Sequence, residues 1–350
     1  MNGKALLVVN LGSPSSTEVK DVRDYLNQFL MDGDVIDIPY PLRLLLVRGI
    51  IVPFRAKKSA MAYKEIFTEK GSPLVTHTRD FTEKLGRKLR AHFQSVDFAM
   101  RYGQPGLEEK ILELNKRGCS DLTVLPMYPQ FAKSSTRTIF KEIQRILKKH
   151  KISEMNVRTW IDFFGEEFYY KSFAKVIEEQ LEAFKPDHLL MSYHGLPASH
   201  VKEFAPQNCF KTPHCCSTLS KANRLCYRAQ CFDSSRKIAS RLPDLDWSIA
   251  FQSRLGKQEW IKPYTDVEIE KLLEKGVKRL LVACPAFVCD CLETLEEIAI
   301  RLKEDFISMG GEDLHLVPSL NAREDWVDSC ADYIKSSRFQ PLEQALQEVL

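Results

Sequence analysis

The sequence lacks an excess of charge of either sign and lacks the glycine motifs that hold nucleotides. Its 350 residues carry 50 Lys and Arg against 47 Asp and Glu, a net charge of +3. The basic residues are scattered, so we expect no nucleic-acid partner. Neither Gly-x-Gly-x-x-Gly after the first strand pattern nor Gly-x-x-x-x-Gly-Lys-Ser/Thr occurs. The sequence therefore lacks the motifs that most clearly indicate a nucleotide cofactor.

A membrane-spanning run is also missing. The longest apolar stretch, residues 39–54, is interrupted by Pro41, Arg43, Arg48 and Pro53, and it falls short of the ~20 residues that a spanning helix needs. It predicts an amphipathic helix over a core, or an apolar lip that contacts a greasy ligand or a membrane surface. The chain enters a strand pattern at once, without a signal-peptide pattern. We expect a cytoplasmic protein with peripheral contact to the inner membrane face.

Short runs rich in Val, Ile and Leu alternate with helical patterns. The strand runs are residues 6–11, 98–102, 122–128, 189–194, 247–252 and 279–284, and the helical patterns are 78–93, 107–117, 137–149, 233–242, 267–275 and the residues after 290. This alternation predicts an α/β fold of two doubly wound parallel-sheet domains around a central cleft. We expect an N-terminal domain at 1–155 with the lip at 39–54, a second domain at 156–320 with a cysteine-rich insert at 207–231, and a helical extension at 321–350.

One histidine follows a buried strand directly. His194 lies within the segment Met-Ser-Tyr-His-Gly-Leu-Pro (191–197), whose Gly-Leu-Pro ending stops a strand. Ligands bind at the carboxyl ends of strands in open parallel sheets, so His194 is a candidate for chemistry. A purely structural histidine fits this segment equally well.

Carboxylates cluster near residue 290. On a helix starting near Asp290, the side chains of Asp290, Glu293 and Glu297 would share one face. Acidic residues in a first helical turn also complement the helix dipole, which accounts for Asp290 and Glu293 without any site. If the stripe faces His194, the imidazole and carboxylates could bind a divalent metal or accept substrate protons.

Aromatic and basic residues recur at the predicted strand ends and near the lip. Flat rings and bidentate guanidinium groups together suit a large planar acid. The residues concerned are Arg55, Tyr63, Arg101, Tyr102, Arg254, Trp260 and Phe287.

Cysteine is abundant, with ten residues, and half of them crowd into a short segment. The crowded cysteines are Cys209, Cys215, Cys216, Cys226 and Cys231. Four thiolates brought together bind zinc or an iron–sulfur cluster, and these spacings match no common zinc ribbon. We expect the side chains of the adjacent Cys215 and Cys216 to diverge, so that only one of them is an obligatory ligand.

Several motifs in this order resemble the ferrochelatase family, which inserts ferrous iron into a porphyrin. The motifs are residues 10–14 (Asn-Leu-Gly-Ser-Pro), 71–73, 101–102, 128–130, 192–197, 251–254, 260, 262–266 and 290–296. The resemblance implies a flavodoxin-like chelatase fold and a catalytic pair at His194 and Glu293. It implies that these two, with Glu297 and Asp290, contact the substrate iron. The porphyrin-binding positions that it implies are Leu11, Arg55, Tyr63, Arg101, Tyr102, Tyr128, Ser253, Arg254, Trp260 and Phe287.

Two departures from the family pattern concern cysteine. Cys291 stands where animal relatives carry histidine, and a cysteine at this position resembles many bacterial members. The segment after Pro197 resembles a bacterial class with an internal cysteine-rich insert. That resemblance implies a 2Fe-2S cluster held by four of the five crowded cysteines, with Cys231 the weakest candidate.

The expected activity is insertion of Fe²⁺, as substrate, into protoporphyrin IX. The sequence leaves open coproporphyrin as the substrate, a cobalt or nickel chelatase acting on an earlier tetrapyrrole, a haem or metal carrier without turnover, and a redox sensor built on the cysteines. It does not indicate an oligomeric state or how His194 and Glu293 divide proton transfer and metal contact.

Overall fold

The computed structural model describes residues 3–206, 209–210, 215–254, 256 and 258–350. Positions 207–208 and 211–214 of the predicted insert lie outside the described residues. The chain divides into two compact units. The first comprises Met1–Tyr128, Lys133–Asp162 and Ala322–Leu350, and the second comprises Pro129–Ala132 and Phe163–Asn321. The residues predicted as a C-terminal extension therefore belong to the first unit.

The described strands form one sheet in each unit. They are β1 Lys4–Ser13, β2 Ser95–Gly103, β3 Asp121–Pro126, β4 Asn156–Thr159, β5 His188–His194, β6 Trp247–Gln252, β7 Arg279–Ala283, β8 Asp313–Leu316 and β9 Gln340–Pro341. The first sheet has the order β2-β1-β3-β4-β9 and the second has the order β6-β5-β7-β8. All pairs are parallel except β4 with β9.

Helices connect the strands of each sheet. In the first unit they are Val19–Leu30, Tyr40–Leu44, Val52–Ile66, Pro73–Leu89, Leu107–Lys116, Thr138–Lys149, Glu324–Ser336 and Leu342–Val349. In the second unit they are Glu167–Phe184, Ala198–Lys202, Tyr227–Ala239, Thr265–Glu274, Leu292–Leu295 and Lys303–Ser308, with a short 3₁₀ turn at Lys221–Asn223. Segments of π-helix, which are rare and frequent at functional sites, occur at Leu45–Ile51, Lys133–Arg137 and Glu297–Leu302.

The strand order places a crevice in each sheet. The chain leaves a central strand, adds a neighbour on one side, and then crosses to the other side, so the order reverses between β1 and β3 and again between β5 and β7. At such a switch point the flanking loops separate and leave room for a ligand at the carboxyl ends of the strands. The predicted α/β fold with parallel sheets is confirmed.

The central strands are buried on both faces. Residues 5–9 of β1 and 189–193 of β5 are all buried, as expected for parallel strands covered by helices on both sides. In the second unit, Leu190, Val282 and Phe306 belong to one apolar cluster beneath the sheet. This rigid core holds the strand ends, and with them the candidate site.

Candidate active site

His194 is the last residue of β5, and its tautomer follows from one contact. Its Nδ1 lies 2.6 Å from the carbonyl oxygen of Gly195. A carbonyl can only accept, so Nδ1 carries a proton, and in the neutral ring the lone pair lies on Nε2. A neutral imidazole with this tautomer can take up a proton or contact a cation through Nε2.

Two glutamates follow β7, the strand that pairs in parallel with β5. Glu293 lies in the short helix Leu292–Leu295, and Glu297 begins the π-helical segment Glu297–Leu302. Burial raises the pKa of the Glu297 carboxyl, the Ser253 hydroxyl that donates to it and the nearby His194 lower it, and Glu293 raises it. His194 and Glu293 therefore both lie within electrostatic reach of Glu297.

The acidic stripe differs from the prediction. The helix begins at Leu292, with Cys291 as its N-cap, so Asp290 precedes it and the proposed single helical face over all three carboxylates is wrong. The Asp290 carboxylate accepts hydrogen bonds from Thr294 Oγ1 at 3.0 Å and from Asn321 Nδ2 at 2.7 Å. These contacts hold the loop that leads into the helix. A role for Asp290 in contacting iron stays a prediction.

The remaining second-unit candidates differ in their surroundings. The rings of Phe287 and His194 lie 6.3 Å apart in an edge-on arrangement. Ser253 follows β6 with a positive φ of 67°, a conformation that costs a serine free energy and is often retained at functional positions. Arg254 pairs with Asp266 and lies over the ring of Tyr264, and Trp260 is buried and bridges to Pro197.

The first-unit candidates fall into two groups. Arg101 is ion-paired with Asp32 at 2.6 Å, and the Tyr102 hydroxyl donates to the same carboxylate at 2.9 Å. Tyr102 is only 2% exposed. These contacts with Asp32 are thus internal to the first unit. Tyr63 is also buried, and burial lowers the pKa of the Arg55 guanidinium while Tyr63 opposes this shift.

Leu11 and Tyr128 lie at the crevice of the first sheet. Leu11 lies near the carboxyl end of β1 and is half-buried, and Tyr128 follows β3. Among the described residues, the buried Tyr128 hydroxyl has no hydrogen-bond partner. Burial raises its pKa. A buried hydroxyl without a partner costs free energy, so this position favours a ligand that supplies a polar atom.

The cysteine segment brings Cys215 and Cys216 together and places Cys209 and Cys226 within electrostatic reach of Cys216. Cys215 Sγ and Cys216 Sγ lie 3.6 Å apart, so the expectation that these side chains diverge is wrong. The pKa of Cys216 is lowered to about 6 by its hydrogen bond with Cys226 and by Arg228. Burial, with Cys215 and Cys216, raises the pKa of Cys209 to about 11.

Cys231 differs from these four thiols in its surroundings. It lies within the helix Tyr227–Ala239, which begins earlier than predicted, and it is fully buried. Burial raises its pKa, and a hydrogen bond with Tyr227 lowers it. Cys209, Cys215, Cys216 and Cys226 are grouped by the interactions among them, whereas Cys231, which also interacts electrostatically with Cys216, has Tyr227 as its hydrogen-bond partner.

Two residues near His194 were not selected from the sequence. Gln252 ends β6 and donates through Nε2 to the main-chain oxygen of Glu293 at 2.7 Å. Tyr227 donates its hydroxyl to the main-chain oxygen of His194 at 2.9 Å. Gln252 had a signal, since it is a polar residue at a strand end, whereas Tyr227 had only its place beside Cys226.

No preformed ligand set for a metal stands out. Among the described residues, no group of three or more His, Cys, Asp or Glu is arranged to hold a metal ion. An imidazole and two carboxylates at the switch point of a doubly wound sheet nevertheless define a class: enzymes that move protons and handle a cation beside a bound ligand.

Comparisons with known proteins specify that class. A sequence model of the ferrochelatase family matches residues 3–338. The ferrochelatase of Pseudomonas paraeruginosa is 45% identical over 338 residues, covering 95% of this chain and 97% of the relative. That of Coxiella burnetii is 44% identical over 340 residues, covering 96% and 94%. The chain belongs to the ferrochelatase family.

A solved structure gives independent support for the fold. SirB from Bacillus subtilis with Fe³⁺ superposes with a TM-score of 0.52 at 12% identity, covering 96% of this chain and 95% of SirB. At this identity the likeness concerns the fold alone.

The raised pKa of Glu297 predicts a pH-dependent stability. The folded chain holds this proton more tightly than the unfolded chain, so the stabilisation is fully present below the ordinary carboxyl pKa and is lost as pH rises through the raised value. We expect Glu297→Gln to gain thermal stability over the natural chain as pH increases from 4 to 8, on the order of a few degrees. Thermal unfolding across pH checks this, with the exposed Glu304→Gln as the control. A difference in unfolding temperature between Glu297→Gln and the natural chain that stays constant with pH would contradict this prediction.

Proposed function

We propose that this chain inserts ferrous iron into protoporphyrin IX to form haem. Family membership over residues 3–338 carries this proposal, and the His194, Glu293 and Glu297 groups support it. Insertion replaces two pyrrole protons by Fe²⁺, so a site needs proton acceptors and oxygen or nitrogen contacts for the arriving ion. The porphyrin itself supplies four nitrogen ligands, and a preformed protein cage of three or more ligands is therefore not required.

The imidazole of His194 and the two carboxylates have separate roles in this proposal. Nε2 of His194 can accept a pyrrole proton, and Glu293 and Glu297 can contact iron or relay protons. A pocket that fits a bent macrocycle better than a flat one exposes a nitrogen lone pair and lowers the barrier. We assign porphyrin contact to the ten positions that the family resemblance implies, the first of which is Leu11 and the last Phe287. Among them, Arg55 is the arginine whose pKa is lowered by burial.

The test is metalloporphyrin formation measured anaerobically from Fe²⁺ by absorption. Turnover with protoporphyrin supports the proposal. Turnover only with coproporphyrin would identify coproporphyrin as the substrate. Turnover only with sirohydrochlorin and cobalt or nickel would indicate a cobalt or nickel chelatase. Tight porphyrin binding with no turnover would indicate a carrier.

We also propose that the four grouped thiols hold a 2Fe-2S cluster. Two tetrahedral ligands at a metal–sulfur distance of about 2.3 Å have sulfurs ~3.8 Å apart, close to the 3.6 Å between Cys215 and Cys216. The lowered pKa of Cys216 favours the thiolate that iron binds. A redox-sensing role is the alternative use of the same thiols.

The cluster proposal predicts the effect of one serine. We expect anaerobically purified protein to contain about two irons per chain and Cys216→Ser to lose them along with the visible absorption. Cys119→Ser, which removes a buried thiol of the first unit, serves as the control and should keep both. Zinc in place of iron, or an unchanged spectrum in Cys216→Ser, would contradict the proposal.

The apolar lip, residues 39–54, supports a peripheral membrane contact on the cytoplasmic side. Leu45 is 69% exposed and Phe54 is 81% exposed, and Tyr40, Leu42 and Ile50 are exposed as well. A cavity of about 470 Å³ includes part of the lip, and two of its lining residues, Arg23 and Arg48, suit lipid phosphates, while Asp24, Asn27 and Gln28 also line it. No described helix has the length and hydrophobicity to cross a bilayer.

Removing apolar surface from the lip is expected to weaken this contact. Burying a phenylalanine side chain contributes about 1.5–3 kcal/mol, so Phe54→Ser should lower partitioning onto anionic vesicles by ~10-fold or more. Sedimentation with vesicles measures this. Ile307→Ser removes another exposed apolar side chain, from the second unit, and should leave partitioning unchanged. Equal partitioning of Phe54→Ser and the natural chain would argue against the lip.

A further inference from the structure

Gln252 contacts the main chain beside both candidate catalytic groups. Its backbone oxygen accepts the Gly195 N–H at 2.7 Å, and its side-chain Nε2 donates to the Glu293 oxygen at 2.7 Å. Because a carbonyl only accepts, the Glu293 oxygen requires Nε2 on its side of the amide, and Oε1 on the other side accepts from the Ser192 hydroxyl at 2.7 Å. One buried residue thus spans the gap between the end of β5 and the helix after β7.

The peptide between His194 and Gly195 is held at both ends. Its N–H donates to Gln252, and its carbonyl accepts from the Tyr227 hydroxyl at 2.9 Å. A peptide unit is planar, so fixing both ends fixes its orientation. The next carbonyl, that of Gly195, is the one that holds Nδ1 of His194. The direction of Nε2 therefore depends on this clamp.

Space around the clamp is minimal. A Cβ placed on Gly195 would lie 2.6 Å from the Gln252 oxygen. The close approach keeps the hydrogen bond short and leaves the loop little room to shift. Tyr227 is buried and follows Cys226 directly, so the cysteine segment is joined to the clamp by a single peptide bond.

We propose that Gln252 and Tyr227 are positioning residues, which set where Nε2 of His194 lies relative to the Glu293 carboxylate. The inference rests on the proposed function, because it assumes that these two groups act on one substrate. Gln252 acts on Glu293 through its side chain and on His194 through its main chain, whereas Tyr227 acts on His194 alone. Misplacing a reacting group by about 1 Å can cost ~10²-fold in rate.

The test uses near-isosteric variants. We expect Tyr227→Phe and Gln252→Met each to lower kcat for metalloporphyrin formation about 10-fold or more, with KM for porphyrin changed less than about 2-fold. Tyr170→Phe and Gln180→Met, which remove the same groups elsewhere in the second unit, should retain the natural kcat. Wild-type kcat in both test variants would overturn the proposal.

Double variants separate positioning from general destabilisation. If Gln252 acts through Glu293, Gln252→Met should lower the rate little further in a Glu293→Gln background, and Tyr227→Phe should behave likewise in His194→Ala. Fully multiplicative losses would overturn the assignment. A second readout does not need turnover: the ¹⁵N resonances of the His194 ring should show a changed tautomer balance in Tyr227→Phe.

The two readouts distinguish the two ways of failing. If the natural chain forms no metalloporphyrin but the His194 resonances shift in Tyr227→Phe, the proposed function fails and the positioning contact stands. If the natural chain forms metalloporphyrin, and the variants change neither kcat nor the His194 resonances, the positioning proposal fails while the proposed function stands.

Discussion

Replacing His194 with alanine is expected to lower the rate of iron insertion by ~10²–10⁴-fold, the usual contribution of a positioned general acid or base. In the proposed reaction, the imidazole of His194 accepts a proton through Nε2, because Nδ1 donates to the Gly195 carbonyl. Alanine removes it without adding volume. Initial rates with saturating Fe²⁺ and porphyrin measure the effect, and quenching of protein fluorescence by porphyrin confirms that the ligand still binds.

A histidine on the same strand gives a matched control. His188 begins β5 and contacts Ser248 at 2.9 Å, at the opposite end of the strand from His194. His188→Ala removes an equal side chain from the same element and should keep the rate within about 3-fold of the natural chain. Rates near normal in His194→Ala, with porphyrin bound, would remove His194 from the mechanism.

Replacing Gly12 with alanine is expected to cost about 3 kcal/mol or more of unfolding free energy. Gly12 has a φ of 109°, and an added Cβ would lie 1.7 Å from the main-chain oxygen of Tyr102 on the neighbouring β2. Both the backbone conformation and the contact therefore oppose a side chain. Chemical denaturation measures the loss.

A second glycine separates these two causes. Gly276 also has a positive φ, of 88°, but an added Cβ would meet nothing within 4 Å. Gly276→Ala should cost only the conformational penalty, about 1–2 kcal/mol. Equal losses at both positions would show that β1 and β2 move apart without cost, contrary to the close packing of the sheet.

The strands that carry the site were predictable from the sequence. The boundaries of β6, Trp247–Gln252, agree with the predicted run, because a continuous apolar stretch between polar loops matches a doubly covered strand. The strands β4 and β8 were missed, since each has four residues and mixes polar with apolar side chains. Short strands at or next to a sheet edge depend on their neighbours more than on their own pattern.

Side-chain direction was less predictable than side-chain identity. Periodicity placed Asp290 on a helix, but capping by Cys291 starts that helix two residues later. Arg101 was chosen for its charge, and the structure pairs that charge with Asp32, sixty-nine residues away in sequence. Long-range partners of this kind leave no local pattern, so the candidate list could be read from the sequence while the network among its members could not.

The return of Ala322–Leu350 to the first unit has a consequence for synthesis. Trp326 stacks on Phe81 with ring centroids 5.8 Å apart, and Lys84 donates to the Ala322 oxygen. Ala322 and Trp326 are synthesised after the whole of the second unit. Domains generally fold as they emerge, so Phe163–Asn321 can complete its core first. The first unit begins earlier in the sequence but completes its core later. The face of the helix Pro73–Leu89 that carries Phe81 stays uncovered until residues 322–350 have been synthesised.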